Sequence, residues 1–338
     1  MTQMPAGGVS GITVVIPHWN RRDLIEPLLE QLKSQTCPIE EVLVVDNGSQ
    51  DGSVELAREK GARVIALERN IGFSGAVNRG IQESRTEWIA VLNNDVSPQP
   101  DWLERLRRAC DGSSVFFATG KLLNAARPDR LDGTFDTVSR GACAWRAGHG
   151  RRDGDEWSHP RRIHLAPFTA VLFRAEVFRQ VGLLDERFES YLEDVDFGLR
   201  CAVRGYSGMY VPEAVARHAG SATLGAWHEE TVRRIARNQV LLVAKHYPPR
   251  YLLRYGWPLF VGQSLWGLVA LRHRRGLACA RGKLQGLARF RKIRREVIKA
   301  GGWPSGLSKT LEKSESEIYQ LQRRTGFDSY WSWYFRLT

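Results

Sequence analysis

The sequence predicts an α/β fold, a mainly parallel sheet flanked by helices, and three observations carry that prediction. From Ile12 onward short apolar runs alternate with amphipathic stretches, the pattern of βα units laid side by side into one sheet. Most of the apolar runs are followed directly by a polar cluster, the arrangement expected where strand ends meet a ligand. A basic stretch lacking that alternation follows, and it is expected to form a helical appendage.

Taken in order, residues 12–16, 42–45, 64–67 and 88–92 are expected strands, and 23–34, 53–60 and 74–83 the helices between them. Residues 124–164, rich in Gly, Arg and Asp with weak periodicity, form a long irregular excursion rather than a second domain. Beyond it the pattern gives a strand at 170–173, helices at 175–181 and 193–204, and a last strand at 209–211. A long helix at 227–247 is stopped by Pro248-Pro249. The boundary between a catalytic domain, 1–249, and the appendage, 250–338, falls there.

The composition excludes several classes. With 43% hydrophobic and 25% charged residues the 338-residue chain can bury a large core, so disordered and collagen-like readings drop out. The net charge of +12 is concentrated: between Arg272 and Lys299 stand eleven Lys or Arg against one acidic residue, Glu296. The five cysteines are far apart, odd in number and without a CxxC pair, which indicates neither a zinc site nor a disulfide framework and fits a reducing compartment. No cationic segment followed by an apolar run opens the sequence, so the expected location is cytoplasmic.

Four polar clusters carry the chemistry. Asp46 ends an apolar run and is trailed by Gly48, Ser49, Asp51 and Gly52; its carboxylate can accept from a base N–H or a ribose hydroxyl, or else form an Asx turn capping the helix from Ser53. Asn93-Asn94-Asp95 ends the 88–92 run, and one carboxylate that leaves room for water suits Mg²⁺ or Mn²⁺ bridged to a diphosphate. Between Gly182 and Tyr206 six carboxylates crowd into twelve residues among Phe188, Tyr191, Leu192 and Phe197. If Glu193 opens a helix, Asp194 and Asp196 point to different faces. Asp196, with Arg200 four residues on, is an ion-pair partner, which leaves Asp194 for the cleft and for work as a general base. His218, followed by Ala-Gly-Ser, reads by itself as a surface histidine and beside an acidic metal site as a second ligand.

With these residues in order (Ile-Pro-His-Trp-Asn-Arg, Val-Asp-Asn-Gly-Ser-Gln-Asp-Gly-Ser, Asn-Ile-Gly-Phe-Ser-Gly-Ala-Val-Asn-Arg-Gly, Leu-Asn-Asn-Asp, Glu-Asp-Val-Asp and the late His218), residues 12–247 resemble the family 2 inverting glycosyltransferases with a GT-A, Rossmann-like fold, especially their bacterial rhamnosyltransferase-like branch. The resemblance implies that Asp46 contacts the nucleoside base. It places Pro17, Asn20 and the stretch from Asn70 to Asn78 around the donor nucleotide, and Asn93 and Asn94 near ribose and diphosphate. Asp95 and His218 would hold the metal, and Asp194 would be the base of a single in-line displacement. The family's usual acidic triplet stands here as Asn93-Asn94-Asp95, and His18 occupies a position where that family often has an aromatic or aliphatic residue.

The expected function is transfer of a sugar from a nucleotide diphosphate donor to a hydroxyl of a saccharide or lipid-linked acceptor, with deoxythymidine diphosphate rhamnose the favoured donor. Two other readings compete. A sugar-phosphate nucleotidylyltransferase would need a Gly-rich, Arg-containing loop where Pro17-His18-Trp19-Asn20 stands. An RNA-binding protein would use the basic stretch and leave the acidic motifs unexplained; no nucleic acid is expected as partner. The apolar run at 255–271 is short for a spanning helix and contains Pro258 and Gln263. The appendage is therefore expected to lie on an anionic membrane surface at the inner face of the cell membrane, or to pack against the catalytic domain or a second protomer.

Overall fold

The computed structural model describes residues 9–112, 114–220 and 227–338. Strands β1 (Val9–His18), β2 (Glu41–Asp46), β3 (Arg63–Ala66) and β4 (Thr86–Leu92) alternate with helices α1 (Arg22–Lys33), α2 (Ser53–Glu59) and α3 (Phe73–Glu83). They lie parallel in the order β3-β2-β1-β4. The run Val14-Val15-Ile16 is apolar without a break because β1 is buried on both faces. Val14 and Ile16 pack with Leu28, Leu29 and Leu32 of α1, and Val15 with Ala76, Val77 and Ile81 of α3.

The sheet then turns mixed. After β5 (Val96–Pro98) and α4 (Trp102–Ala109) come β6 (Phe117–Asn124), β7 (Leu131–Gly133), β8 (Asp136–Val138), β9 (Ala144–Arg146), β10 (Arg161–Ile163) and β11 (Ala170–Arg174). β11 enters between β4 and β6 antiparallel to both. Then follow α5 (Ala175–Val181), α6 (Glu193–Ala202), β12 (Gly208–His218) and α7 (Glu229–His246).

Two expectations are corrected. The excursion at 124–164 is no irregular surface loop: β7 pairs with β6, β8 with β9 and β10 with β12, and Phe135, Ala147 and Trp157 join the core. Strands of three residues are too short for a period of two to register in sequence. The last strand runs through to His218, beyond the expected 209–211. Pro212 is accommodated where the register against β6 shifts between Val211 and Val215, the kind of irregularity that tolerates a residue with no N–H to give to the ladder.

Past Pro248, helices α8 (Pro249–Arg254), α9 (Gly256–Arg272), α10 (Gly276–Lys299), α11 (Leu307–Thr325) and α12 (Ser329–Leu337) complete the chain. They share its main core: Val261, Ile318, Leu321, Trp331 and Tyr334 cluster with Cys143 and Trp145. The β8–β9 turn is stapled to them. Val138 N donates to Ser314 Oγ at 2.8 Å, Arg140 N to Glu315 Oε2 at 2.6 Å and Gly141 N to the Tyr334 hydroxyl at 3.1 Å. Among the described residues no helix is long and apolar enough to cross a membrane.

Candidate active site

The carboxyl ends of β1 and β4 open into a cleft of about 1410 Å³. Pro17, His18, Asn70, Asn93, Asn94 and Asp95 line one side of it, Glu193 and Asp194 another, and His218 a third. The sheet itself sets the first side. His18 and Asp46 are paired in register at the ends of β1 and β2, and Asn93, one residue past β4, donates its N–H to Thr169 O at 2.9 Å.

On this side several polar atoms are unspent. Asn94 Nδ2 donates to His18 Nδ1 at 2.9 Å, which leaves His18 Nε2 buried without a partner. Burial pulls the His18 pKa down, against the raising influence of Asp46, so the ring is neutral at pH 7. Asp46 Oδ2 accepts from Gly48 N at 3.1 Å and Ser49 N at 2.9 Å, an Asx turn one step short of α2. The first residue of α2, Ser53, is instead capped by Asp51. Asp46 lies beneath the cleft wall, 2% exposed, with Oδ1 unpartnered. Asn47 holds the next loop, accepting from Ile71 N at 3.1 Å and donating to Gly72 O at 3.2 Å. Gly72 has φ +86, and a Cβ there would lie 3.3 Å from the backbone of Glu189, so the donor-side loop and the acidic segment touch only because this residue has no side chain.

Three residues expected at the donor do not line the cleft: Asp46, beneath its wall, and Asn20 and Asn78. Asn20, in the left-handed region at φ 48, is tied to the loop after β2: its N–H donates to Ser49 Oγ at 2.7 Å and its Oδ1 accepts from Gln50 N at 3.0 Å. Asn78, 3% exposed, spends its amide on Leu184 O, Glu186 Oε1 and Leu184 N at 2.9, 3.0 and 2.9 Å. Both are joints between segments.

The acidic segment is held by unusual backbone. Glu189, Tyr191 and Leu192 have φ of 60, 73 and 65, a run in which only glycine sits without cost. Two buried residues of α7 clamp it: Asn238 Nδ2 donates to the carbonyl oxygens of Phe188, Ser190 and Tyr191 at 2.8, 2.9 and 2.7 Å, and Arg237 Nη2 to Phe188 O at 2.9 Å. Helix α6 starts straight from this loop, so Glu193 and Asp194 are delivered to the cleft in one orientation.

Asp194 and Asp196 then part company, as their spacing requires. Asp196 is fully buried below the cleft, against Arg200 Nε at 3.0 Å, Lys245 Nζ at 2.8 Å and His246 Nε2 at 2.8 Å. Burial works to raise its pKa, but Lys245, Arg200 and His246 together hold it well below the usual carboxylate range. Asp194 Oδ1 accepts from Val195 N at 2.8 Å, while Oδ2 stands 3.6 Å from Arg146 Nη2. Burial first, then the charge of Asp136, push its pKa up to about 7. Burial and the neighbouring Asp194 likewise raise Glu193, whose Oε2 has no partner.

The third side comes from β12 and the excursion. His218 is 7% exposed within the strand, not an exposed residue after it. Its Nδ1 is 2.7 Å from Asp132 Oδ2 and its Nε2 is 3.2 Å from Asp95 Oδ1. Although burial pulls its pKa down, the two carboxylates lift it to about 9. Asp132, Asp136 and Arg146 had no signal in the sequence, yet they connect the halves of the site. Asp132 grips His218, and four residues on Asp136 Oδ1 lies 3.2 Å from the Nε of Arg146, which reaches Asp194. The remaining signal was compositional, acidic residues in a stretch with no visible period.

The sequence profile described as Glycosyl transferase family 2 matches residues 13–181. An N-acetylglucosaminyl-diphospho-decaprenol L-rhamnosyltransferase of Mycobacterium tuberculosis is 27% identical over 304 residues, 81% of this chain and 92% of that protein. Matches to other curated relatives are partial, and the chain spans only 27% and 39% of the length of two of them. Among solved structures, GalNAc-T7 with UDP, GalNAc and Mn²⁺ superposes with TM-score 0.64 at 14% identity, over 94% of this chain and 58% of that one. The mannosyltransferase PcManGT of Pyrobaculum calidifontis with GDP-Man and Mn²⁺ gives 0.53 at 16%, over 99% and 88%. The shared architecture is the GT-A fold, and with its profile match this chain belongs to glycosyl transferase family 2.

Proposed function

We propose that the protein is an inverting glycosyltransferase that moves a sugar from a nucleotide diphosphate to a hydroxyl of a saccharide or lipid-linked saccharide, with Asp194 as general base. The observation that carries this is the partly buried cleft carboxylate, set beside Arg146 with its pKa pushed up to about 7, a value that lets one group both take and release a proton at neutral pH. In the step, the acceptor oxygen attacks the anomeric carbon and its proton passes to Asp194. The bond to the diphosphate breaks with its electron pair on the leaving oxygen, and the anomeric configuration inverts. Arg146 holds Asp194 Oδ2, and Val195 N–H holds Oδ1, so the carboxylate does not turn away from the acceptor.

The residues present fit a divalent cation. Asp95 Oδ1 is buried and makes no hydrogen bond, and it stands 3.2 Å from His218 Nε2, close to the roughly 3 Å between adjacent ligands of an octahedral ion bound at about 2.1 Å. The Nδ1 contact with Asp132 orients the ring and aims Nε2 at Asp95; with its pKa at about 9 the ring carries a proton on Nε2 at pH 7, which a cation bound there would displace. Asp95 and His218 would therefore hold Mg²⁺ or Mn²⁺, with diphosphate and water as the other ligands. Such an ion neutralises charge gathering on a departing diphosphate. The solved neighbours that contain Mn²⁺ support this reading.

Rhamnose is the favoured sugar, because the relative aligned over most of both chains is an L-rhamnosyltransferase acting on a lipid diphosphate saccharide. The deciding experiment incubates the protein with deoxythymidine diphosphate rhamnose, Mn²⁺ and a lipid-linked saccharide. Release of nucleoside diphosphate with a new glycosidic bond is expected, whereas release of pyrophosphate would mean nucleotidyl transfer.

A further inference from the structure

We propose that the outer face of α9, continued onto α8, α12 and the start of α10, docks the protein on the headgroup layer of an anionic lipid bilayer. On α9 the residues Trp257, Phe260, Leu268 and Leu271 follow one another at offsets of 3, 8 and 3, which keeps them on one side of the helix. They are 58%, 63%, 59% and 62% exposed. The rest of the helix is used inside the protein: Val261, Gly262 and Ala270 are buried, and Trp266 and Val269 line the cleft. The outer stripe is thus apolar surface that none of the described residues covers.

The stripe continues at both ends. Trp257 stacks on Phe260 with ring centroids 5.7 Å apart and donates its indole N–H to Leu337 O of α12 at 2.6 Å. Leu253 of α8 is 87% exposed just before it. At the other end Leu271 packs over Gly276, and the exposed Leu277 follows. A connected run of this kind is more than the scattered apolar residues of an ordinary surface.

Charge selects the occupant. From residue 248 to 300 the only acidic side chain is Glu296, and it is bound to Arg187. Arg272, Arg274, Arg289, Arg291, Arg295 and Lys299 are exposed with no carboxylate partner among the described residues. A second copy of the chain would bring the same uncompensated cations against them. A nucleic acid would meet the cations and leave Trp257, Phe260 and Leu268 in water. An anionic bilayer answers both features: apolar side chains enter the acyl boundary while the basic ones meet headgroups. Because α9 and α12 carry the outer stripe on one side and Trp266, Val269, Tyr330 and Trp331 of the cleft wall on the other, the cleft would stand about one helix diameter, roughly 10 Å, from the lipid surface. The docking does not depend on the transferase reading, and its test needs no turnover.

The full chain is floated with vesicles of phosphatidylcholine alone and of phosphatidylcholine with phosphatidylglycerol, together with the double variants Phe260→Glu/Leu268→Glu and Arg291→Gln/Arg295→Gln. All altered side chains are exposed, so thermal melts should match the parent. The parent should float with the anionic vesicles, and each variant should bind them at least roughly tenfold more weakly. An unchanged affinity in the Phe260→Glu/Leu268→Glu variant would overturn the proposal. So would displacement of the vesicles by RNA, or a dimer in solution that this variant dissociates.

Discussion

The two sides of the cleft are built by opposite means. On the strand-end side, His18, Asn93 and Asp95 follow from β1 and β4, and the strand ends with a few bonds between adjoining segments fix where they stand; His18 Nε2, Asn93 Oδ1 and Asp95 Oδ1 are left over for a ligand. On the acidic side, Glu193 and Asp194 stand on a loop that its own backbone disfavours, and residues nearly fifty positions away hold it in place. A site assembled from sheet edges is positioned by local geometry, whereas one assembled from a clamped loop is positioned by long-range bonds. Changes on the first side should therefore act on binding, and changes on the second on turnover.

The largest effect expected is that of Asp194→Asn. Turnover should fall by at least about a hundredfold, the usual scale for losing a general base, with donor affinity near normal; single-turnover kinetics and calorimetry with nucleoside diphosphate separate the two. Asp95→Ala and His218→Ala should do the reverse, weakening nucleoside diphosphate binding roughly 10- to 100-fold in Mn²⁺ and little in its absence. Retention of full Mn²⁺ dependence in His218→Ala would return that residue to a structural role.

Asn238→Ala tests the clamp. The carbonyls of Ser190 and Tyr191 would lose this donor while Phe188 O keeps Arg237, at a cost of about 1–3 kcal/mol, and turnover should drop roughly tenfold as the loop before Glu193 relaxes. Unchanged donor affinity in the same protein would separate the two sides cleanly. The smallest effect is that of Asp136→Asn on the pH profile. Asp194 must be ionised to accept a proton, so activity should rise with pH through about 7. Asp136 raises that value, so its neutralisation should move the rising limb to lower pH and increase relative activity at pH 6 by roughly two- to fivefold. An unmoved limb would mean that Asp194 is not the group titrating.

What could be read from the sequence divides along the same line. The donor edge was legible because a strand end followed by a polar cluster is a local signal, and the different fates of Asp194 and Asp196 followed from helical spacing. Asp132, Asp136 and Arg146 were not legible, since strands of three residues carry no measurable period. Arg237 and Asn238 lie in a helix whose pattern gives no hint that two polar side chains point inward at someone else's carbonyls. Asn20 and Asn78 lie outside the cleft lining and join segments, and a family motif does not distinguish a residue that touches a ligand from one that joins two segments.

The staples between the β8–β9 turn and helices α11 and α12 bear on how the molecule comes into being. By the time a ribosome has passed Asp95, every strand-end residue of the cleft has been made, and by Asp194 so has the proposed base. Yet Ser314, Glu315 and Tyr334, which fasten the turn between Asp136 and Arg146, and Trp331, which packs against Trp145 with centroids 6.5 Å apart, come more than a hundred residues later. The nascent chain can therefore complete the strand-end shelf long before it has a finished cleft, and the pairing of Asp136 with Arg146 beside Asp194 is among the last arrangements to be fixed.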